Sequence, residues 1–183
     1  KKGENIDLKN VNRIKDYAFV NCCSGNVTNV SEQILCDYKA FYQYKGIYQL
    51  PVVDGAHMLG NIMMTASDII PAHTTSINKD VDFSKKETVS LTDIKLVSQI
   101  YSANIPKRIY VDNEEPIVPG DIYNMCRYKF EWIDISPKNK YYTSIDGIIY
   151  TADKKILVRC PVGRTGRVVI PDGVTAIGHD AFR

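Results

Sequence analysis

Apolar positions recur in similar short segments along the chain. The segments 11–19 and 174–182 align without a gap, and both place Val, Ile, Ala and Phe at the same four positions. A third segment, 70–78, matches 170–178 at its first Ile, its Pro, a Thr and its second Ile. Self-similarity with a period of about 20 to 50 residues is the sequence signature of repeat proteins. The pattern therefore predicts a chain built from stacked copies of one small unit.

The spacing of the repeated apolar anchors predicts the length of that unit. The first steps between anchors are 22, 22 and 20 residues, and the later steps are 40 and 59 residues. The step of 40 leaves room for one degenerate turn around 94–103, and the step of 59 requires an insertion. A unit of this length buries its apolar side chains only against its neighbours. The expected anchors are Phe19, Phe41, Met63, Phe83, Tyr123 and Phe182.

The insertion has the pattern of a β-hairpin. Two β-rich runs, Ile145–Tyr150 and Ile156–Cys160, flank the polar segment 151–155. Short β-rich runs on either side of a polar turn are typical of a hairpin. We therefore expect one β-hairpin insertion at about residues 145–160.

Alternation of apolar and polar residues predicts short strands within the repeats. Segments such as 6–8, 109–111 and 133–135 are apolar at every second position, so one side chain points into the core and the next points outward. No segment of 12 or more residues keeps a helical period, so long helices are not expected. The expected fold is a single, mainly β repeat solenoid over residues 1–183. It has short strands, irregular or short helical turns, and degenerate repeats over 51–130.

Composition and charge exclude several classes of function. Hydrophobic residues make up 44% of the 183 residues and charged residues 24%, which is enough apolar material for a core. The net charge of +2 excludes a nucleic-acid binder that works through bulk positive charge. No apolar run is long enough to predict a membrane span. The five cysteines are odd in number and lack Cys-x-x-Cys spacing, which favours buried reduced thiols.

No motif in the sequence predicts a catalytic, cofactor or metal site. Cys160 is followed by Arg164 and Arg167, four and seven positions later. The phosphate loop of tyrosine phosphatases needs its Arg six positions after the Cys, where the guanidinium reaches the phosphate. No histidine has a partner at metal-ligand spacing; the three are His57, His73 and His179. We therefore expect a protein that is not an enzyme and has no cofactor.

The C-terminal part of the chain resembles BspA-like leucine-rich repeats. The matching segments are 145–150, 153–158, Cys160-Pro161, Gly166 and 170–182. The match covers about residues 133–183; residues 5–50 look like two more copies, and residues 51–130 depart from the pattern. The resemblance implies a right-handed leucine-rich-repeat superhelix on a secreted or cell-surface protein, often bacterial, that acts in adhesion or protein interaction. The family has no shared catalytic residues to carry over.

The expected interaction surface is the concave strand face of this solenoid. Tyr, Trp and Arg often anchor interfaces, and a mixed-charge sheet dotted with aromatic residues suits a protein or glycan partner, from a host or the extracellular matrix. The candidate residues are Arg108, Tyr110, Asp112, Trp132 and Asp134. As an alternative, Tyr110 and Trp132 only cover the core edge, and the repeats form a stalk or spacer that presents another domain.

The repeat pattern stops within a unit at Phe182-Arg183. We therefore expect a truncated C-terminal repeat, whose uncovered edge favours self-association. The resemblance implies a secreted or cell-surface location, with the signal peptide and the anchor expected outside residues 1–183.

Overall fold

The chain folds into a β-solenoid of about eight turns, mostly β with few helices, as the repeat pattern predicts. A computed structural model describes residues 5–22, 27–31, 34–37, 39–42, 44, 46–47, 50–100 and 102–183. The chain divides into two compact units. The first unit is Lys1–Asp82 with Gln99–Tyr101, and the second is Phe83–Ser98 with Ser102–Arg183.

Two-residue strands form the coils at the start of the first unit. They are β1 (Ile6–Asp7), β2 (Arg13–Ile14), β3 (Val27–Thr28) and β4 (Leu35–Cys36). β1 pairs in parallel with β3, and β2 pairs in parallel with β4, so that each strand meets its counterpart in the next repeat. The rings of Phe19 and Phe41 are buried and stack with their centroids 4.7 Å apart. The predicted anchors of these two repeats are therefore in contact.

An antiparallel meander follows in the first unit, and the sequence analysis missed it. Its strands are β5 (Val52–Val53), β6 (Ala56–Leu59) and β7 (Ile62–Met63). β7 then pairs in parallel with β8 (Ser76–Ile77). Asp54 and Gly55 form the first turn with φ angles of 49° and 81°, the left-handed conformation that a two-residue hairpin turn requires. Met63 is buried, as expected of an anchor, but it lies on a strand.

A three-stranded parallel sheet lies in the second unit. Its strands are β9 (Thr88–Leu91), β10 (Arg108–Val111) and β11 (Trp132–Ile135), with β10 in the middle. A 3₁₀ helix, Ile94–Gln99, follows β9 in the region where the sequence predicts a degenerate turn. The helix α1, Pro119–Cys126, follows β10. Pro119 suits the first turn of α1, because an N–H at that position has no partner within the helix.

The expectation that Tyr123 is a buried anchor is wrong. Tyr123 lies on α1 and is 44% exposed, because the helix directs Ile122, Met125 and Cys126 into the core instead. A helix of eight residues makes only about two turns, which is too short for periodicity alone to identify it.

A second meander confirms the predicted hairpin and extends it by one strand. The strands are β12 (Tyr142–Ile145), β13 (Ile148–Thr151) and β14 (Ile156–Arg159), and β14 pairs in parallel with β15 (Ala176–Ile177). Asp146 and Gly147 form the first turn with φ angles of 51° and 70°. Both units therefore contain the same arrangement, a meander with an Asp-Gly turn followed by one parallel strand.

The last coil exposes apolar side chains whose counterparts in two repeats of the first unit are buried. Ile177 on β15 is 51% exposed, whereas Ile77, which the repeat alignment pairs with it, is 3% exposed. Phe182 is 56% exposed, and its counterpart Phe19 is 7% exposed. Within the described part of the chain, β15 is paired on one side only.

Among the described residues, no helix is long and apolar enough to cross a membrane.

Candidate interaction surface

The β9–β11 sheet separates its side chains into a buried face and an outer face. The parallel register places Arg108 beside Thr88 and Trp132, and Tyr110 beside Ser90 and Asp134. These six side chains are partly exposed. The residues between them form the buried rows Val89–Ile109–Ile133 and Leu91–Val111–Ile135, each member at most 5% exposed. Two rows of polar and aromatic groups therefore lie on a rigid apolar layer.

Trp132 is the centre of a cluster of charged side chains on this outer face. The guanidinium carbons of Arg108 and Arg164 each lie 4.6 Å from the centroid of its ring, a distance typical of cation–π contacts. The indole Nε1–H donates a hydrogen bond to Oδ1 of Asp134 at 2.9 Å. Arg108 Nε also lies 3.6 Å from Oδ2 of Asp134. Each group in the cluster therefore has at least two partners, which fixes its position.

The Asp-Gly turn of the second meander packs against Trp132. A Cβ atom on Gly147 would lie 2.5 Å from two atoms of the Trp132 ring, and Gly147 also has a φ of +70°. The carbonyl oxygen of Gly147 accepts a hydrogen bond from the Ile133 N–H at 3.2 Å, and the Asp146 carbonyl accepts one from Arg164 Nη1 at 2.7 Å. Only glycine allows this close approach. The turn therefore fixes the indole ring from the side of the meander.

The remaining two candidate residues lie along and beyond the central strand. Tyr110 is half-buried on β10, next to Asp134 in the same row. Asp112 is exposed just past the end of β10, where its N–H donates to the Leu91 carbonyl at 2.8 Å. Lys138 forms an ion pair with Glu114 at 3.2 Å. The pKa of Lys138 is raised by its hydrogen bond and charge attraction to Glu114, with a smaller contribution from Asp112.

The structure thus brings Arg108, Trp132 and Asp134 into direct contact and places Tyr110 beside them. Asp112 lies at the strand end, apart from the cluster. Arg164 and Gly147 are not among the residues predicted from sequence, because both come from the insertion and its following loop. The sequence pattern relates Arg164 only to Cys160, and no spacing rule relates either residue to Trp132.

Three of the described cysteines have a raised thiol pKa, the reverse of what an activated thiolate needs. Cys126 and Cys160 are buried, Cys22 and Cys36 are half-buried, and these four described cysteines are free thiols; Cys23 lies outside the described residues. Burial raises the pKa of Cys126 and of Cys36 to about 12. Burial also raises the pKa of Cys160, although Arg164 and Arg159 oppose the effect. A nucleophilic or metal-binding cysteine needs a lowered thiol pKa instead.

The histidines lie in separate places. His57 on β6 is half-buried and its ring Nδ1 lies 3.2 Å from Oγ1 of Thr65. His73 is exposed in a turn, and His179 is exposed beside Asp180, with Nδ1 and Oδ2 3.2 Å apart. Among the residues with described positions, no three His, Cys, Asp or Glu side chains are grouped as metal ligands.

Comparison of the chain with protein-family models, with curated proteins and with solved structures finds no significant match.

Proposed function

We propose that this protein is a non-enzymatic interaction module that acts at the cell surface or after secretion. In this proposal it binds a protein or glycan partner through the outer face of the β9–β11 sheet. The observation that supports it is the fixed cluster of Trp132, Arg108 and Asp134, with Tyr110 beside it. The resemblance to BspA-like repeats supports the location and the adhesive role.

The cluster is ordered before a partner arrives, and this order favours binding. Fixing long side chains on association costs roughly 0.5–1.5 kcal/mol for each. Arg108 is already restrained by the Trp132 ring and by Asp134, so this cost is reduced. Tyr110 offers a rigid amphipathic ring on the same face, and such rings contribute large contact area with little loss of conformational entropy.

The experiment is a binding screen of the 183-residue chain against arrayed extracellular-matrix proteins and glycans at physiological salt. For any partner found, we expect Tyr110→Ala and Arg108→Gln each to weaken binding by tenfold or more, about 1.4 kcal/mol, as interface anchors do. Circular dichroism and the melting temperature verify that both variants fold.

Matched controls come from residues of the same type elsewhere in the chain. Tyr17 is 48% exposed in a turn of the first unit, and Arg167 is exposed after the second meander. Tyr17→Ala and Arg167→Gln are expected to keep the original affinity. Equal losses of binding affinity in the control variants and in the sheet variants would refute binding through this face.

The second candidate function is a stalk or spacer that presents another domain. It is favoured by the packing of Trp132, whose ring already contacts Arg108, Arg164 and the Gly147 turn. A ring that is covered in this way stabilises the coil and needs no ligand. A screen without any partner would support this second function over the first.

A further inference from the structure

A cavity of about 320 Å³ lies in the second unit between α1 and the second meander. Four apolar side chains and two tyrosines form most of its wall, and Arg159 supplies a positive charge. Among the described residues that line it there is no Asp or Glu. The apolar and aromatic lining residues are Pro119, Ile122, Tyr123, Tyr142, Ile156 and Val158. The cavity is separate from the Trp132 cluster, and neither the proposed function nor the repeat pattern accounts for it.

Arg159 gives this cavity its unusual chemistry. The residue is only 4% exposed, and its guanidinium carbon lies 4.7 Å from the centroid of the Tyr123 ring. Nη1 donates a hydrogen bond to the carbonyl oxygen of Asp180, and Nη2 donates one to the carbonyl oxygen of Arg183 at 2.8 Å. The Nε–H is buried and has no acceptor within the described part of the chain.

The described partners of Arg159 are two backbone oxygens and the Tyr123 ring rather than a side-chain carboxylate. Asp180, whose carbonyl oxygen accepts from Arg159, directs its carboxylate to His179 and Arg183. A guanidinium has five N–H donors, and the two bonds to carbonyl oxygens use only two of them. Buried donors without acceptors are costly, and buried arginines are normally paired. A ligand anion in the adjoining cavity would supply acceptors for the unused donors, the buried Nε–H among them.

We propose that this cavity binds a small aromatic monocarboxylate, with the carboxylate directed to Arg159 and the ring held between Tyr123 and Ile156. One buried guanidinium matches one carboxylate, and the apolar wall excludes a compact polyanion such as inorganic phosphate. At about 30 Å³ for each water-sized group, the cavity holds roughly ten non-hydrogen atoms. Phenylacetate has this size, and so does the side chain and terminal carboxylate of a peptide that ends in Phe.

The test is a calorimetric titration with phenylacetate and with its neutral isostere phenylacetamide. We expect saturable binding of phenylacetate that is at least tenfold tighter than binding of the amide, and no binding of inorganic phosphate. A second pair, N-acetyl-glycyl-phenylalanine and its C-terminal amide, distinguishes the sources of the carboxylate. Tighter binding of this peptide than of phenylacetate would assign the site to peptide C-termini, and weaker binding would assign it to free acids.

Two variants locate the site. Arg159→Met is expected to lose the preference for the acid over the amide, but it also removes two hydrogen bonds to the last coil and can unfold that coil. Ile156→Trp leaves Arg159 intact and fills the cavity, and it is expected to lower affinity at least tenfold. Ile170→Trp is its control, because Ile170 is also 38% exposed but does not line the cavity.

The charge at the chain end needs its own control, since Arg159 bonds to an oxygen of the last residue. Adding a short Gly-Ser tail after Arg183 moves the terminal carboxylate away, and acid binding should persist or strengthen. Equal affinity for phenylacetate and phenylacetamide would overturn the proposal. Loss of binding on adding the tail, or affinity unchanged by Ile156→Trp, would overturn it as well.

Discussion

At the scale of single residues, buried polar side chains hold the coils of this protein together. Asn139 is 6% exposed, and its side-chain N–H groups donate to the carbonyl oxygens of Asn113 and Glu115. Its side-chain oxygen accepts from the N–H groups of Tyr141 and Tyr142. One side chain therefore satisfies four backbone groups from two segments of the chain, a use of Asn that suits a solenoid corner.

We predict that Asn139→Ala lowers the free energy of unfolding by about 2–4 kcal/mol, because buried backbone groups lose their partners. Urea denaturation followed by the emission of the single tryptophan measures it. Asn124→Ala is the control, since Asn124 is exposed on α1, and its effect should stay within about 0.5 kcal/mol. Equal effects of the two substitutions would show that Asn139 has no special role.

At the scale of elements, the two meanders use the same Asp-Gly turn for different purposes. Gly55 and Gly147 both have positive φ angles, of +81° and +70°. A Cβ on Gly55 would meet only the Ser67 side chain, at an ordinary 3.6 Å, whereas a Cβ on Gly147 would collide with Trp132. A substitution at Gly55 therefore tests backbone strain alone, whereas a substitution at Gly147 adds the collision with Trp132.

We predict that Gly55→Ala destabilises the protein by about 1 kcal/mol through backbone strain alone. Gly147→Ala should cost about 1–3 kcal/mol more, because the methyl group displaces the indole ring. Only Gly147→Ala should shift the emission maximum of Trp132, the single tryptophan of the chain. The packing account fails if the two variants have equal stabilities and unchanged emission.

The second hairpin was predictable from sequence because its strands are four residues long and rich in β-branched and aromatic residues. The first meander escaped prediction because β5 and β7 have only two residues each. The outward-facing residues of β10 and β11 could be predicted from the alternation of apolar and polar residues alone. Arg164 and Gly147 did not, because their contacts with Trp132 depend on how a loop folds back over the sheet.

At the scale of the whole molecule, the repeat pattern predicted the solenoid and most of its buried anchors. Phe19, Phe41, Met63 and Phe83 are all buried as expected. The sequence could not predict that α1 replaces the anchor at Tyr123, because the choice depends on packing between neighbouring coils. It also gave no sign of the cavity beside Arg159, which depends on the meander, α1 and the last coil together.

The exposed apolar edge of the last coil leads to a prediction about assembly. A parallel edge strand has unpaired N–H and C=O groups, and together with exposed apolar side chains it favours pairing with a second copy. We predict that the 183-residue chain self-associates in a concentration-dependent way, as light scattering can measure. Ile177→Lys should shift the chain towards monomer. Ile69→Lys, at a site of similar exposure in the first unit, should not, and a monomer at high concentration would contradict this prediction.

If a partner binds on the outer face of the β9–β11 sheet, the emission of Trp132 reports the binding from within that face. Because this tryptophan is the only one in the chain and lies within the proposed surface, a partner without tryptophan can be titrated while the emission is recorded. We predict a saturable change in emission whose midpoint equals the dissociation constant from calorimetry, and which Tyr110→Ala moves to higher concentration. Calorimetric binding with unchanged emission, and with the same affinity in Tyr110→Ala, would contradict the account.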